Sequence, residues 1–297
     1  MAELNPILEG LETYVEQRRE PLVSRAVLGA RTLDYITIQT DIKTSAAVNV
    51  LDSDPKFQDG SECGFTADGS SKLSQRVIET GQIKVNQEFC NKKMLPYWTQ
   101  YRVRVAADNE ELAFGEYFVG GILDKVNEKL DRAIWQGTKA VDMFDGFVTI
   151  LAADENVIKP TVTGLTAYEA IKKVKNSIPA NIKDKAAIFV GADTFEAFID
   201  ELTEKNLYHY TAGDGAANEY FFPASRVKVI AVNGLNGSKA IVAGNPEQMY
   251  YGTDLENGQE IVDVFFDKSS RTTKVVLEWN SGVQYAFSDE MVYAVLN

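Results

Sequence analysis

The residues from Asp108 to Gly137, DNEELAFGEYFVGGILDKVNEKLDRAIWQG, place the strongest constraint on how this 297-residue chain folds. Asp108 with Glu111 has the spacing of a capping box, in which each side chain satisfies an orphan backbone N–H of the first turn. Leu112, Val119, Ile122, Leu123, Val126, Leu130, Ala133 and Ile134 recur at helical spacings and predict one apolar stripe. Lys125, Glu128, Lys129, Asp131 and Arg132 are expected on the remaining surface, and Gly137 reads as the glycine that ends the helix. Such a helix is about 40 Å long, as long as a small domain is wide. The rest of the chain must therefore pack along it. Gly120-Gly121 interrupts the pattern; each glycine costs about 1 kcal/mol relative to alanine. The pair marks a bend or a close packing contact.

The segments before the helix are of two kinds. Residues 1–35 read as an arm: Leu4, Ile7, Leu8, Leu11, Tyr14 and Val15 have helical spacing, and Pro21 breaks it. The arm is too short to bury much by itself, so it is expected to lie across its own chain or a neighbour. Residues 36–105 carry no helical pattern. ITIQTDIKTSAAVNVL is extended chain rich in β-branched residues. DSDPKFQDGSECGFTADGSS is polar and glycine-rich, with Gly60, Gly64 and Gly69, and KLSQRVIETGQIKVNQEF returns as strand with alternation at Ile83 and Val85. Strand, polar tip, strand predicts a long protruding hairpin. An isolated hairpin is marginal in water and its edges invite pairing. This one is expected to rest on a partner subunit.

After the helix, punctuation at Gly137, Gly146 and Pro160 leads to a second unit near Thr161. Thr166 with Glu169 is another capping box, followed by a stripe of Ala167, Ala170, Ile171, Val174 and Ile178. AAIFV, Ala186 to Val190, reads as a buried strand. Asp193 with Glu196 is expected to open a further helix. NLYHYTAGDGAANEYFFP is a loop with Gly213, Asp214 and Gly215 at its tip. Closely spaced strands follow, with Asn233-Gly234, Asn236-Gly237, Asn257-Gly258 and Ser281-Gly282 as turn signals. Helix, strand, helix, then strands is an α+β order.

Chemistry is almost absent from this pattern. His209 is the one histidine, which excludes a histidine-rich metal site and catalysis by paired histidines. G-x-S-x-G, G-x-x-x-x-G-K-[ST] and G-x-G-x-x-G do not occur. DSDPKFQDG, Asp52 to Gly60, fails the calcium-loop pattern because Lys56 and Phe57 stand where an oxygen ligand and a glycine are required. DMFDG, Asp142 to Gly146, reads as a turn. Cys63 and Cys90 make no metal spacing and read as free thiols. A net charge of −13 argues against a nucleic-acid-gripping surface. No apolar run is long enough to span a membrane, and the acidic start, MAELNPILEGLETYVEQ, lacks the basic and apolar regions of a secretory signal. The expectation is a non-enzymatic cytoplasmic product with no cofactor or metal.

Arm, hairpin, long helix and α+β unit together resemble the major capsid proteins of tailed bacteriophages with the HK97-like fold. Two stretches carry most of the likeness. EKLDRAIWQGTKAVDMFDGFVTIL is similar to the family's run from the long spine helix through a glycine into an apolar segment. TAYEAIKKVKNSIPANIKDKAAIFVGADTFEAFIDEL resembles the helix, strand and helix that open the family's axial domain. The resemblance implies an N-terminal arm over 1–35 and an extended E-loop hairpin with its lead-in strand over 36–105. It implies a peripheral domain with the spine helix over 106–160, an axial domain over 161–252, and strands returning to the peripheral domain over 253–297.

The implied function is a shell protein that assembles with itself into pentamers and hexamers, closing an icosahedral head around double-stranded DNA that it does not bind sequence-specifically. Portal, scaffolding and decoration proteins are the implied partners. The implied location is the virion capsid, built in the host bacterial cytoplasm. Assembly contacts are expected at Gly60, Gly64, Gly69 and Lys72 on the hairpin and at Gly213, Asp214 and Gly215 on the axial tip, with a helix bend at Gly120 and Gly121. A nanocompartment shell of the encapsulin kind, with the same fold, is the alternative.

Overall fold

The computed structural model describes residues 22, 26–59, 68–90, 110–205, 218–222, 225–254 and 261–296. The expected helix is present as α1 (Glu110–Gln136), unbroken through Gly120-Gly121. The expected capping residue Asp108 and the side chain of Leu112 lie outside the described parts. Val119, Ile122, Leu123, Val126, Leu130, Ala133 and Ile134 are all buried, as the spacing predicts. Gly137 follows the last turn, its N–H donating to the Ala133 carbonyl at 2.9 Å, and a Cβ there would collide with that same carbonyl.

Asp131 departs from its expected place on the surface. It is 3 % exposed, and its Oδ1 accepts the Thr32 backbone N–H at 3.0 Å. One turn on, the buried Trp135 donates its indole N–H to Thr32 Oγ1 at 2.7 Å. These two bonds fasten the short 3₁₀ turn Arg31–Asp34 to the middle of the molecule. Leu22, Ala26, Val27, Ala30, Leu33 and Ile36 join the same core, so this part of the arm packs on its own chain.

Two five-stranded sheets flank α1. The first is organised around β11 (Thr272–Tyr285). β4 (Gly81–Cys90) runs antiparallel along one edge; β9 (Met249–Thr253) and β10 (Ile261–Asp267) share the other. Ser281 pairs with Gly81 on one side and Thr253 on the other, which fixes that arrangement. β1 (Thr37–Gln39) extends the sheet parallel to β9. Ser281-Gly282 is therefore not a turn. It lies inside a 14-residue strand, where a Cβ on Gly282 would strike the Glu79 carbonyl. The glycine serves close backbone approach.

The second sheet has the order β12 (Val292–Val295), β8 (Ala240–Gly244), β5 (Ala187–Val190), β7 (Lys228–Ala231), β6 (Glu219–Phe221). Its two faces bury alternate residues. Ile188, Val190, Val229, Ile241 and Ala243 pack with Ala170, Val174 and Phe198 from α4 (Ala167–Ser177) and α5 (Ala192–Glu204). Ala187, Phe189, Ile230, Ala240 and Val242 join the core built on α1. The closing strands divide between the sheets: β10 and β11 belong to the first, whereas β12 completes the second.

The capping box at Thr166 and Glu169 forms as expected. At α5 the expected pair does not: Gly191 occupies the N-cap, and Asp193 instead accepts from Thr194 N at 2.8 Å and Gly237 N at 3.2 Å. Between α1 and α3 (Phe147–Ala153) the chain makes the short helix α2 (Lys139–Asp142) and turns back at Met143, whose φ is 70°. The DMFDG carboxylates close this loop: Asp142 accepts from Thr138 N and Asp145 from Lys139 N, at 3.2 and 2.8 Å.

Candidate assembly surfaces

The predicted hairpin is formed by β2 (Ser45–Pro55) and β3 (Gly69–Glu79), which pair rung for rung from Ser45↔Glu79 to Pro55↔Gly69. Eleven residues of strand reach about 35 Å. Gly69 closes the last rung with φ 113°, in the region where only glycine is at ease. Beside it Asp68 accepts from Gly69 N at 2.9 Å and from Lys56 Nζ at 3.2 Å. Lys72 sits opposite Asp52. Gly60 and Gly64 lie outside the described residues, as do Cys63, His209, and the loop positions Gly213, Asp214 and Gly215. Cys90 is a free, exposed thiol.

Among the described residues the hairpin is anchored near its base. Val48, Val50 and Ile78, all on one face, are buried with Ile42 and Ala286. On that same face Arg76 reaches back to the body: its Nη2 donates to Asp154 Oδ2 at 2.6 Å, and its guanidinium lies 4.4 Å from the centre of the Tyr285 ring. The Tyr285 hydroxyl donates to the same carboxylate oxygen at 2.8 Å. Burial alone pushes the Asp154 carboxyl up. The bonds from Arg76, the Asn156 backbone and Tyr285 outweigh it and hold the pKa at about 2. Burial, followed by the bond to Asp154, raises the Tyr285 phenol. Beyond the hairpin the chain passes directly into β4 at Thr80-Gly81; a Cβ on Gly81 would strike the Met143 carbonyl, so this junction requires glycine.

The opposite face of the hairpin is exposed among the described residues. Leu51 and Leu73 face each other across the ladder, 60 % and 80 % exposed, Val77 is exposed on the same face four residues along the strand, and Phe57 near the tip is fully exposed. Large apolar side chains presented together on a projecting arm mark a contact surface. The sequence held a signal for some of them: a leucine beside polar residues in each strand, Leu51 before DSD and Leu73 between Lys72 and Ser74, and a phenylalanine, Phe57, among the aspartates of the tip.

A second surface lies at the hairpin's exit. Between β4 and the C-terminal half of α1 is a groove of about 800 Å³. Ile83, Val85, Val126, Leu130 and Trp279 form its floor, and Lys84, Lys125, Lys129 and Arg132 stand along it. Lys84 is paired with Glu278 and Lys125 with Glu128, each at 2.6 Å. The indole N–H of Trp279, a residue 5 % exposed, has no acceptor among the described residues. Nothing in the sequence pattern joins β4 to α1 in this way, because the groove depends on the pairing of β4 with β11. At the glycine pair, Gly120 is buried and Gly121 faces open space, so close packing does not account for Gly121.

Among the described residues no cluster of three His, Cys, Asp or Glu side chains is placed to hold a metal ion, and no helix is long and apolar enough to cross a membrane. No known family profile matches the chain, and no curated protein matches it. Solved structures do. A chain of the satellite phage P4 procapsid, solved with its size-determination protein, superposes with a TM-score of 0.63 at 10 % identity, over 94 % of this chain and 91 % of its own. A chain from Microbacterium phage Oxtober96 gives 0.61 at 12 % identity, over 90 % and 91 %. A virus-like particle from Pyrococcus furiosus gives 0.53 at 9 % identity, over 97 % and 98 %. Such identities speak for the fold alone, and over nearly its whole length this chain has the mixed α+β fold of phage capsid proteins, the HK97-like fold its sequence resembles.

Proposed function

We propose that the chain is the major shell protein of a tailed-phage-type capsid. In this reading it assembles with copies of itself into pentamers and hexamers and closes an icosahedral head around double-stranded DNA. The observation that carries the proposal is the projecting hairpin, with Leu51, Leu73 and Val77 exposed on one face and Phe57 exposed near its tip. A monomer gains nothing from an arm of this kind, whereas a subunit gains a hold on its neighbour. Asp52, Asp54, Asp59 and Asp68 surround Phe57 in sequence, so the tip is acidic and apolar, the complement of the basic-rimmed groove between β4 and α1. A tip-to-groove contact joins two different patches and is therefore head-to-tail, the type that propagates into rings.

On this reading β2–β3 is the E-loop, with Gly60, Gly64, Gly69 and Lys72 at or near the contact, and α1 is the spine helix with Gly120-Gly121 as its point of bending. The second sheet within 161–252, with α4 and α5, belongs to the axial domain, its edge strand β12 being supplied by the closing segment, and Gly213, Asp214 and Gly215 belong to its tip. The division at 1–35, 36–105, 106–160, 161–252 and 253–297 is kept as the proposal for the arm, E-loop, peripheral, axial and closing segments. Portal, scaffolding and decoration proteins are the proposed partners, and assembly is placed in the host cytoplasm.

The match to the Pyrococcus furiosus virus-like particle, which covers 98 % of that chain, is also compatible with a second reading, a nanocompartment shell. Negative-stain microscopy of the purified protein tests both. Closed particles of uniform diameter are expected, and a protein that stays monomeric at every concentration overturns both readings. Particles purified from their native source separate the two: packaged double-stranded DNA supports the capsid, and a protein cargo without DNA supports the compartment.

A further inference from the structure

The helices α4 and α5 pack against each other on one face of the second sheet. Glu201, at the end of α5, accepts from Thr166 Oγ1 and Ala167 N at the start of α4, at 2.5 and 2.9 Å, and Tyr168 stacks on Phe198. The outward residues of the two helices are opposite in charge. On α4 and the turn after it stand Lys172, Lys175 and Lys183; on α5 stand Glu196, Asp200 and Glu204, spaced by four and so aligned on one stripe. Among the described residues none of these six makes an ion pair. Lys175 and Lys172 instead lie over the rings of Phe222 and Tyr168, at 4.5 and 5.7 Å from their centres. Burial lowers the Lys175 amine, and Lys183 and Lys172 lower it further, as expected of cations gathered without a counter-charge.

Like charges repeated along a helix destabilise it, and a lysine cluster is out of keeping with a chain of net charge −13. Within one copy no ion pair joins the two stripes among the described residues: Lys172 and Lys175 lie over rings, while α4 contacts β12 and β8 and α5 contacts β7. Repeating this layer side by side brings α4 of one copy against α5 of the next.

We infer that Lys172, Lys175 and Lys183 of one copy dock on Glu196, Asp200 and Glu204 of the next, a second head-to-tail contact independent of the hairpin. It rests on the reading of the chain as a shell subunit. Its chemistry is charge pairing across an interface, which sets register and partner choice more than raw affinity.

Charge reversal tests it. One variant carries Lys172→Glu, Lys175→Glu and Lys183→Glu; a second carries Glu196→Lys, Asp200→Lys and Glu204→Lys; a third carries all six. Each of the first two is expected to raise the protein concentration needed for particle formation at least about tenfold, because like charges then face each other. Mixing them is expected to restore assembly, as is the six-fold swap on its own. The swapped protein is expected to exclude wild-type subunits from its particles. Because Lys175 is half-buried over Phe222, Lys172→Gln with Lys183→Gln gives a milder variant, expected to move the threshold in the same direction with thermal unfolding unchanged.

Folded reversal variants that assemble at the wild-type threshold overturn the inference. So does a result in which the lysine reversals alone matter, which assigns that cluster to nucleic-acid phosphates instead. A wild-type protein that forms no particles overturns the shell reading itself, so the two failures are distinguishable.

Discussion

Asp154 shows what a single side chain contributes to this molecule. It is 15 % exposed and accepts bonds from Arg76 on the hairpin and Tyr285 on β11, so one carboxylate joins an arm to the body. An unfolded aspartate titrates near 3.9, and here the folded value is held at about 2. A lowered carboxylate pKa contributes stability that is fully present above the unfolded value and lost as pH falls through the folded one. The window is therefore about pH 4 down to 2, and the contribution is about 2 kcal/mol. Asp154→Asn is expected to lower the melting temperature at pH 7 and to flatten its fall across that window; an unchanged acid limb in differential scanning calorimetry contradicts the assignment. None of this was legible in the sequence. Arg76, Asp154 and Tyr285 lie on three separate elements, and only the fold brings them together. Asp131 was misread for a related reason: the helical spacing puts it beside charged neighbours, and the buried donor it serves, Thr32 N, is 99 residues away.

Local pattern was legible in the elements. The helix at 110–136 follows from its apolar repeat, the box at Thr166 and Glu169 from its spacing, and β5 from four consecutive buried residues. What failed was Ser281-Gly282, whose dipeptide is a turn signal, because strand pairing over long distance overrides local preference. Val126→Pro removes a backbone donor in the middle of α1 and is expected to cost about 3 kcal/mol or more, read as a lowered melting temperature; an unaltered one contradicts the buried helix. The hairpin behaves oppositely. Replacing residues 56–67 with an Asn-Gly turn leaves every paired rung and every buried contact at the base in place. Unfolding is expected to stay within a few degrees of wild type while particles disappear from size-exclusion and microscopy. Normal particles from that variant exclude the tip as an assembly contact.

For the whole molecule, segment order told more than any motif. Arm, hairpin, long helix and α+β unit were readable in sequence, and the superposition on phage capsid chains covers the same span. The interleaving of the two sheets was not readable. α1 is shared between them, and β12 crosses back to pair with β8, because a long-range ladder leaves no local trace. This arrangement predicts the distribution of stability. β11 is flanked on both edges and buried along much of its length, so its amides are expected to exchange with solvent only through global unfolding. The outer rungs of β2–β3 add no residue to a buried cluster among the described residues and are expected to exchange fastest among the strands. Protection of the outer hairpin equal to that of β11, measured on the unassembled protein, is the result that contradicts this order.

The place of β11 in the chain has a consequence for synthesis. β4 emerges from the ribosome early, yet its partner begins at residue 272, so the two are separated by the translation of nearly two hundred residues. At ordinary elongation rates that is roughly ten to forty seconds. Throughout that time the floor of the groove lacks Trp279, and Arg76 lacks Tyr285. On the shell reading, a nascent chain then holds both hairpin strands but neither the completed groove that would receive a tip nor the Arg76 brace. If tip and groove are the assembly contacts, subunits are expected to become competent to associate only once β11 is made, which keeps neighbouring chains on one messenger from joining early.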